Sequence, residues 1–198
     1  NRLIELTNAW RYNVSNLNLG TFWTARGYAD GGWPSGGGLL YVENSALTAP
    51  KTTALPLASG SLPVTCYFRA WFTNNFANAY SLSLVANTMI DDGVIWHLNG
   101  AAVFSLGLTN PASTFGTLAD RTVGNAAWEG PFGFAITNLV PGTNLLAAEV
   151  HQSTSNSTDV VMGLTLDAVW QPRFRDSNAP VIANVIPAAG TTVASLTQ

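Results

Sequence analysis

Short apolar or alternating segments, separated by clusters of Gly, Asn and Pro, run through almost the whole chain. Segments of this kind are typical of β-strands, and helical periodicity is scarce. The pattern predicts ten strands, at Arg2–Leu6, Trp10–Asn13, Leu39–Val42, Val64–Phe72, Ser81–Ala86, Gly93–Leu98, Ala101–Leu106, Phe132–Ala135, Asn144–Gln152 and Val160–Gln171. We therefore expect an all-β protein.

Two turns give this pattern its clearest local detail. Asn99-Gly100 favours a type I′ turn, because both central residues of that turn need positive φ, and so predicts a tight hairpin. The strand after Val140-Pro141-Gly142 should place Leu145, Ala147, Glu149 and His151 on one face and Leu146, Ala148, Val150 and Gln152 on the other.

The segment Gly27–Gly38 contains six glycines together with Trp33 and Pro34. We expect an ordered loop that the tryptophan pins to the protein, and loops of this length are often functional. Beyond Arg175 the composition changes to that of a linker. The predicted organisation is one domain over residues 1–176 and a linker with an isolated strand over residues 177–198.

The charge content narrows the classes of partner. Only 10% of the 198 residues are charged, against roughly 25% in a typical protein. The chain has one lysine, Lys51, and a net charge of −3, so a cluster of basic residues that could bind nucleic acid is lacking. No apolar stretch is long enough to span a bilayer. An uncharged polar surface suits a secreted domain that binds neutral ligands such as glycans.

Several motifs, in order along residues 8–170, carry a family resemblance. They are Trp10-Arg11-Tyr12, Trp33-Pro34-Ser35-Gly36, Arg69-Ala70-Trp71-Phe72, Asp91-Asp92-Gly93, Leu98-Asn99-Gly100, Ala148-Glu149-Val150-His151-Gln152 and Gly163-Leu164-Thr165-Leu166. The chain resembles the galactose-binding-like jelly-roll modules of large secreted proteins from planctomycetes and verrucomicrobia. Its tail, from Asn178 to Gly190, resembles the opening of a bacterial Ig-like domain.

The resemblance implies an antiparallel jelly-roll β-sandwich within a secreted or cell-surface multidomain protein. It also implies carbohydrate binding and a structural Ca²⁺, since modules of this kind commonly hold one. One departure concerns the predicted hairpin, where His97 stands at the position that tyrosine usually holds in the family.

Asp91 and Asp92 allow two interpretations. Adjacent carboxylates in a Gly-containing loop suit a Ca²⁺ site, which Asp159 or Asn156 would complete. Alternatively, an Asp side chain caps backbone amides in a turn. The chain lacks a full Asp-x-Asp-x-Asp repeat, which favours the turn.

Glu149 and His151 also allow two interpretations. They could be metal ligands or an acid–base pair. They could equally be buried structural groups, hydrogen-bonded across the sheet to Arg69, Arg121 or Asp92.

The aromatic residues favour ligand binding more than the acidic ones do. An exposed aromatic ring can stack on a pyranose while polar side chains fix the hydroxyl groups. The expected ligand contacts are Trp23, Tyr28, Asp30, Trp33, Tyr41 and Trp128. The four tryptophans on predicted strands, Trp10, Trp71, Trp96 and Trp170, are expected in the core.

The sequence therefore predicts a non-catalytic carbohydrate-binding module. A structural or assembly module of an extracellular fibre or surface protein, without a sugar site, is the main alternative. A glycoside hydrolase is the third, because paired carboxylates are compatible with the sequence.

Overall fold

The computed structural model describes residues 1–57, 61–76, 79–109 and 113–172, which form two packed β-sheets. The predicted linker and Ig-like strand at 177–198 lie outside the described residues. Within these ranges, no helix has the length and apolar character that crossing a membrane requires.

The first sheet has six strands, which pair in the order β10-β7-β12-β4-β5, with β1 also beside β12. Their bounds are β1 Arg2–Ile4, β4 Leu40–Val42, β5 Thr53–Ala54, β7 Ala79–Asp91, β10 Glu129–Phe134 and β12 Val160–Pro172. The short β4–β5 pair is parallel and the other pairs are antiparallel.

The second sheet also has six strands, in the order β3-β2-β6-β11-β8-β9, and all of its pairs are antiparallel. Their bounds are β2 Ala9–Asn13, β3 Ser35–Gly37, β6 Thr65–Asn74, β8 Gly93–Leu98, β9 Ala101–Leu106 and β11 Gly142–His151. A 3₁₀ helix covers Phe22–Thr24. The predicted all-β jelly-roll sandwich is confirmed.

All ten predicted strands are found, but the sequence missed β3 and β5. It also made β7 too short, since the strand continues from Ala86 to Asp91. Thr88, Met89, Ile90 and Asp91 are all fully buried, so this stretch has no alternation of polar and apolar residues that would indicate a strand. The predicted hairpin is confirmed, with φ of 50° at Asn99 and 97° at Gly100.

The main core lies between the sheets and includes Trp10 and Trp96, whose rings are 5.9 Å apart. Cys66 is a buried thiol in this core, and burial raises its pKa to about 12. The expectation for the other two strand tryptophans was wrong, since Trp71 and Trp170 are 42% and 38% exposed. Trp71 lies on the outer face of β6, and Trp170 packs against Phe76 near the end of β12.

Candidate functional site

The outer face of the second sheet carries a group of functional side chains that strand register brings together. Arg69 on β6, Ala147 on β11 and His97 on β8 form one row across three strands. Tyr67 and Glu149 are paired in the next row, so Glu149 and His97 are diagonal neighbours on the same face. As predicted, Leu145, Ala147, Glu149 and His151 share this face.

Residues 15–34, here called the covering loop, pack over part of this face. The side chain of Arg69 is fully buried beneath the loop and donates hydrogen bonds to the Asp30 carboxylate, to the Ala25 carbonyl at 2.8 Å and to the Tyr28 carbonyl at 3.4 Å. Arg11 contacts the other Asp30 oxygen at 3.5 Å. Burial lowers the pKa of Arg69, and the Asp30 carboxylate opposes this shift. Arg69 therefore anchors the loop to the sheet.

Aromatic rings fill the space between the loop and the sheet. Trp23 is 1% exposed and its ring lies 4.7 Å from that of Tyr67 and 5.7 Å from that of His97. Phe115, on a second loop, stacks on Tyr67 with ring centroids 6.5 Å apart. Trp23, Tyr67 and Phe115 belong to a small hydrophobic cluster on the outer face of the sandwich, separate from the main core.

A pocket of about 340 Å³ opens beside these rings, between the covering loop, the β8–β9 hairpin and the loop that contains Phe115. Its lining combines aromatic rings, hydroxyl groups, one carboxylate and one imidazole. The lining residues are Asn18, Gly20, Thr21, Trp23, Thr24, Tyr67, His97, Gly100, Ala102, Ser113, Thr114, Phe115 and Glu149.

Among the described residues that line this pocket, Glu149 alone carries a carboxylate, and two histidines flank it. Its Oε1 lies 3.1 Å from His97 Nε2 and its Oε2 lies 3.6 Å from His151 Nε2. Burial raises the pKa of Glu149, but the contacts with His151 and His97 outweigh burial and hold it at about 2. The expected partners Arg69, Arg121 and Asp92 were wrong, because Arg69 binds Asp30 and Arg121 binds Glu129 and the Asp92 carbonyl.

His151 also connects the sheet to the second loop. Its Nδ1 lies 2.8 Å from the carbonyl oxygen of Thr117 and 3.1 Å from Thr65 Oγ1. Thr65 Oγ1 in turn donates to the carbonyl oxygen of Phe115 at 2.6 Å. Because carbonyl oxygens only accept, Nδ1 of His151 carries the proton that it donates to Thr117. The hydrogen bonds of His151 and Thr65 therefore hold the Phe115 wall of the pocket, and the other ring nitrogen of His151 lies beside Glu149.

The structure brings together four of the six residues expected to bind a ligand. Trp23, Tyr28, Asp30 and Trp33 all belong to the covering loop, and the rings of Tyr28 and Trp33 are 5.8 Å apart. Of the six, only Trp23 lines the pocket. Tyr41 lies on β4 in the first sheet, and Trp128 is 39% exposed just before β10. The role of these six residues in binding a ligand stays a prediction.

A second group of carboxylates lies where β4, β7 and β12 meet in the first sheet. The register pairs Val42 with Val160 and Asp91 with Val161, which places Glu43, Asp91 and Asp159 at one end of the sheet. Their carboxylate oxygens lie within 4.8 Å of one another. This acidic cluster offers only oxygen ligands, which suits Ca²⁺ or another hard cation.

Asp91 is the central member of the acidic cluster. It is fully buried, and neither of its carboxylate oxygens has a hydrogen-bond partner among the described residues. Burial raises the pKa of Asp91 to about 8, and the nearby carboxylates of Asp92, Asp159 and Glu43 add to the shift. One oxygen of Glu43 is likewise buried without a described partner. The cluster therefore has spare acceptors that a cation could use.

Asp92 differs from its neighbour although the metal-site interpretation included both. Its two carboxylate oxygens accept the backbone amides of Val123 at 2.6 Å and Ser153 at 2.7 Å. Asp92 therefore caps backbone amides, but those of distant segments and not of its own turn, whereas Asp91 and Asp159 belong to the acidic cluster. Asp159 Oδ1 also accepts from Ser157 Oγ at 3.1 Å.

The residues of these two sites that sequence reasoning did not propose as ligand contacts include Tyr67, His97, Phe115 and Glu43. The Asn99-Gly100 turn could have placed His97 near the end of a hairpin, but not opposite β11. Glu43 gave no local signal, because only the pairing of β4 with β12 brings it to Asp159.

Comparisons with known proteins give the fold and little more. No protein-family model and no curated protein matches the chain. Similar solved structures include β-glucuronidase 2 of Bacteroides uniformis bound to cyclophellitol-6-carboxylate aziridine, at 15% identity over 85% of this chain, with a TM-score of 0.52. A calcium-binding mutant of that enzyme gives 14% identity over 85% of this chain and a TM-score of 0.51.

A β-glycosidase from Bacteroides vulgatus is a third similar structure, at 13% identity over 83% of this chain, with a TM-score of 0.45. The chain spans only 18% of the β-glucuronidase structures and 20% of the β-glycosidase. At such low identity the two β-glucuronidase matches show the fold alone, a β-sandwich that forms part of a longer chain.

Proposed function

We propose that this chain is a non-catalytic carbohydrate-binding module and that its glycan enters the pocket beside Glu149. The observation that carries the proposal is the pocket itself, in which polar groups converge on a floor of aromatic rings. Small-ligand sites generally combine an apolar wall with a few placed polar groups. Here Phe115 offers a partly exposed ring, while Glu149 and His97 offer hydrogen-bonding groups that are fixed by the sheet.

The carboxylate content of the pocket supports binding over hydrolysis. Most glycoside hydrolases use two carboxyl groups on opposite sides of the scissile bond. Among the described residues that line the pocket, Glu149 alone carries a carboxyl group. Its low pKa also makes it a poor general acid near neutral pH.

The surface composition supports a secreted or cell-surface location within a larger bacterial protein, which we include in the proposal. Few charges and abundant Asn, Ser, Thr and Gly suit contact with neutral glycans. The similar structures are themselves of much longer chains, in line with a module joined to other domains.

Glycan-array binding tests the function. We expect the unmodified chain to retain at least one glycan and Phe115→Ala to weaken binding about five- to tenfold, since stacking on one ring contributes about 1 to 1.5 kcal/mol. Trp170→Ala is the matched control, because this exposed tryptophan lies on the other sheet.

Two further variants, Trp33→Ala and Trp128→Ala, test the contacts that the sequence predicted. A loss of binding in these variants but not in Phe115→Ala would move the site to the covering loop or to Trp128. Retention of no glycan by the unmodified chain would contradict the function and favour the structural or assembly module.

We also propose that the acidic cluster holds a structural Ca²⁺. The buried carboxylate of Asp91 carries this proposal, because an unpaired buried charge is costly and a bound cation would offset that cost. Glu43 and Asp159 would supply further oxygen ligands. One of the similar structures is of a calcium-binding mutant, which agrees with the proposal without establishing it.

Thermal unfolding in Ca²⁺ and in EGTA tests this site. A ligand present at about 100 times its Kd stabilises the folded state by about 2.7 kcal/mol, so Ca²⁺ should raise the Tm by several degrees. Asp91→Asn should abolish the shift, and Asp167→Asn, on the same sheet but bound to Arg2, should keep it. Equal Tm values in Ca²⁺ and EGTA for the unmodified chain would contradict the proposal.

A further inference from the structure

The pocket beside Glu149 is lined by few charged or titratable side chains. Its described lining residues include one carboxylate and one imidazole, and neither Lys nor Arg. Three arginines near the outer face have carboxylate partners, Arg69 and Arg11 with Asp30 and Arg121 with Glu129. Arg26, in the covering loop, is exposed and is not among the described residues that line the pocket.

Glu149 can accept hydrogen bonds from a ligand in the pocket. Its side chain is 12% exposed, and its contacts with His97 and His151 come from the sheet. Each carboxylate oxygen has two lone pairs, so a histidine contact leaves room for a ligand hydroxyl to donate. Paired hydroxyl groups on a sugar ring provide such donors.

A sugar that carries its own carboxylate would meet different conditions. In a uronic acid the carboxylate at C6 replaces a hydroxymethyl group, and here it would face the like charge of Glu149 with neither Lys nor Arg among the described lining residues. Like charges placed together in a partly buried site reduce affinity strongly, and they are a common means of excluding a ligand.

We infer that the pocket selects a neutral sugar unit, whose hydroxyl groups donate to Glu149, and rejects a uronic acid. This inference rests on the carbohydrate-binding function proposed above and adds the class of ligand. Thr21 and Asn18, on the covering loop at the pocket mouth, offer further neutral hydrogen-bonding groups to the same sugar.

Matched pairs of immobilised glycans test the selection. Galactose-terminated and galacturonate-terminated oligosaccharides are compared at pH 8, where imidazole is generally neutral, together with the glucose and glucuronate pair. We expect the neutral member of a bound pair to bind at least about tenfold more tightly. In Glu149→Gln this preference should fall to about threefold or less, because the amide keeps an acceptor oxygen and loses the charge.

Glu5→Gln is the matched control, since it removes the same charge from an exposed site beside Arg2 on the first sheet. It should leave the preference unchanged. Tighter or equal binding of the uronate by the unmodified chain would overturn the inference while leaving the binding function intact. A preference that persists in Glu149→Gln would overturn the role of Glu149, and retention of none of the four glycans would contradict the proposed function itself.

Discussion

Glu149 and Asp91 are two buried carboxylates in one small protein, and their surroundings give them opposite properties. Burial raises the pKa of both groups. At Glu149 the contacts with His151 and His97 reverse this effect and the pKa is about 2, whereas Asp91 has carboxylates as neighbours and its pKa is about 8. The neighbouring groups, and not burial alone, therefore decide whether an acidic side chain stays charged in the folded state.

The two environments also suit different tasks. Glu149 is charged and fixed, so it can accept hydrogen bonds from a ligand that enters the pocket. Asp91 lacks partners of its own, and the acidic cluster would become favourable only when a cation balances its charge. One site is therefore complete without a ligand, while the other is stabilised by one.

The largest expected effect concerns Asp91 without a cation. Its folded-state pKa is about 8 against an ordinary 3.8, so the folded chain binds this proton more tightly than the unfolded chain. The free energy of unfolding in EGTA should therefore fall, by several kcal/mol, as pH rises from about 4 to 8. Urea unfolding across this range measures it.

In Asp91→Asn, which resembles the protonated acid, the pH dependence of unfolding should become much weaker. Asp167→Asn should behave like the unmodified chain. An unmodified chain whose stability rises throughout this pH range in EGTA would show that Asp91 has partners that lower its pKa.

A smaller effect of opposite sign is expected at Glu149. Its pKa is depressed from 4.5 to about 2, so it contributes stability above pH 4.5 that is lost as pH falls toward 2. The shift corresponds to about 3 kcal/mol at most. The difference between the unmodified chain and Glu149→Gln, followed by urea unfolding from pH 6 to pH 2.5, measures this contribution.

Glu5→Gln serves as the control for Glu149→Gln, because Glu5 is exposed. A Glu149→Gln variant that loses stability with falling pH as steeply as the unmodified chain would contradict the expected contribution of Glu149. The contrast between Glu149 and Asp91 would then fail.

The smallest effect is expected from one partner of Glu149. His97→Ala removes the hydrogen bond to Oε1 but leaves His151 in place, so it should raise the pKa of Glu149 and cost about 1.5 to 3 kcal/mol at neutral pH. Carboxylate-resolved NMR titration checks the pKa, and urea unfolding checks the stability. A pKa of Glu149 that does not change in His97→Ala would assign its low value to His151 alone.

Particular residues show which structural features could be predicted from the sequence. The Asn99-Gly100 turn was predictable because its φ requirement is local. That Asp92 accepts backbone amides was predictable, but its partners, the amides of Val123 and Ser153, were not. The contact between Glu149 and His97 was not, because these residues lie 52 positions apart and meet only through the register of β8 on β11.

The strand tryptophans show the same limit. Trp71 shares one face of β6 with Tyr67 and Arg69, and no local pattern indicates where the covering loop ends on that face. Tyr67 and Arg69 are buried beneath that loop, whereas Trp71 is left exposed.

The all-β class, the β8–β9 hairpin and the division of β11 into two faces follow from the sequence alone, because turn chemistry and side-chain alternation act over a few residues. The tertiary structure decided which carboxylates acquired partners. Strand register placed two histidines beside Glu149 and two further acids beside Asp91, and loop packing made the outer face of the second sheet a pocket. Those contacts join distant parts of the chain, so no local pattern encodes them.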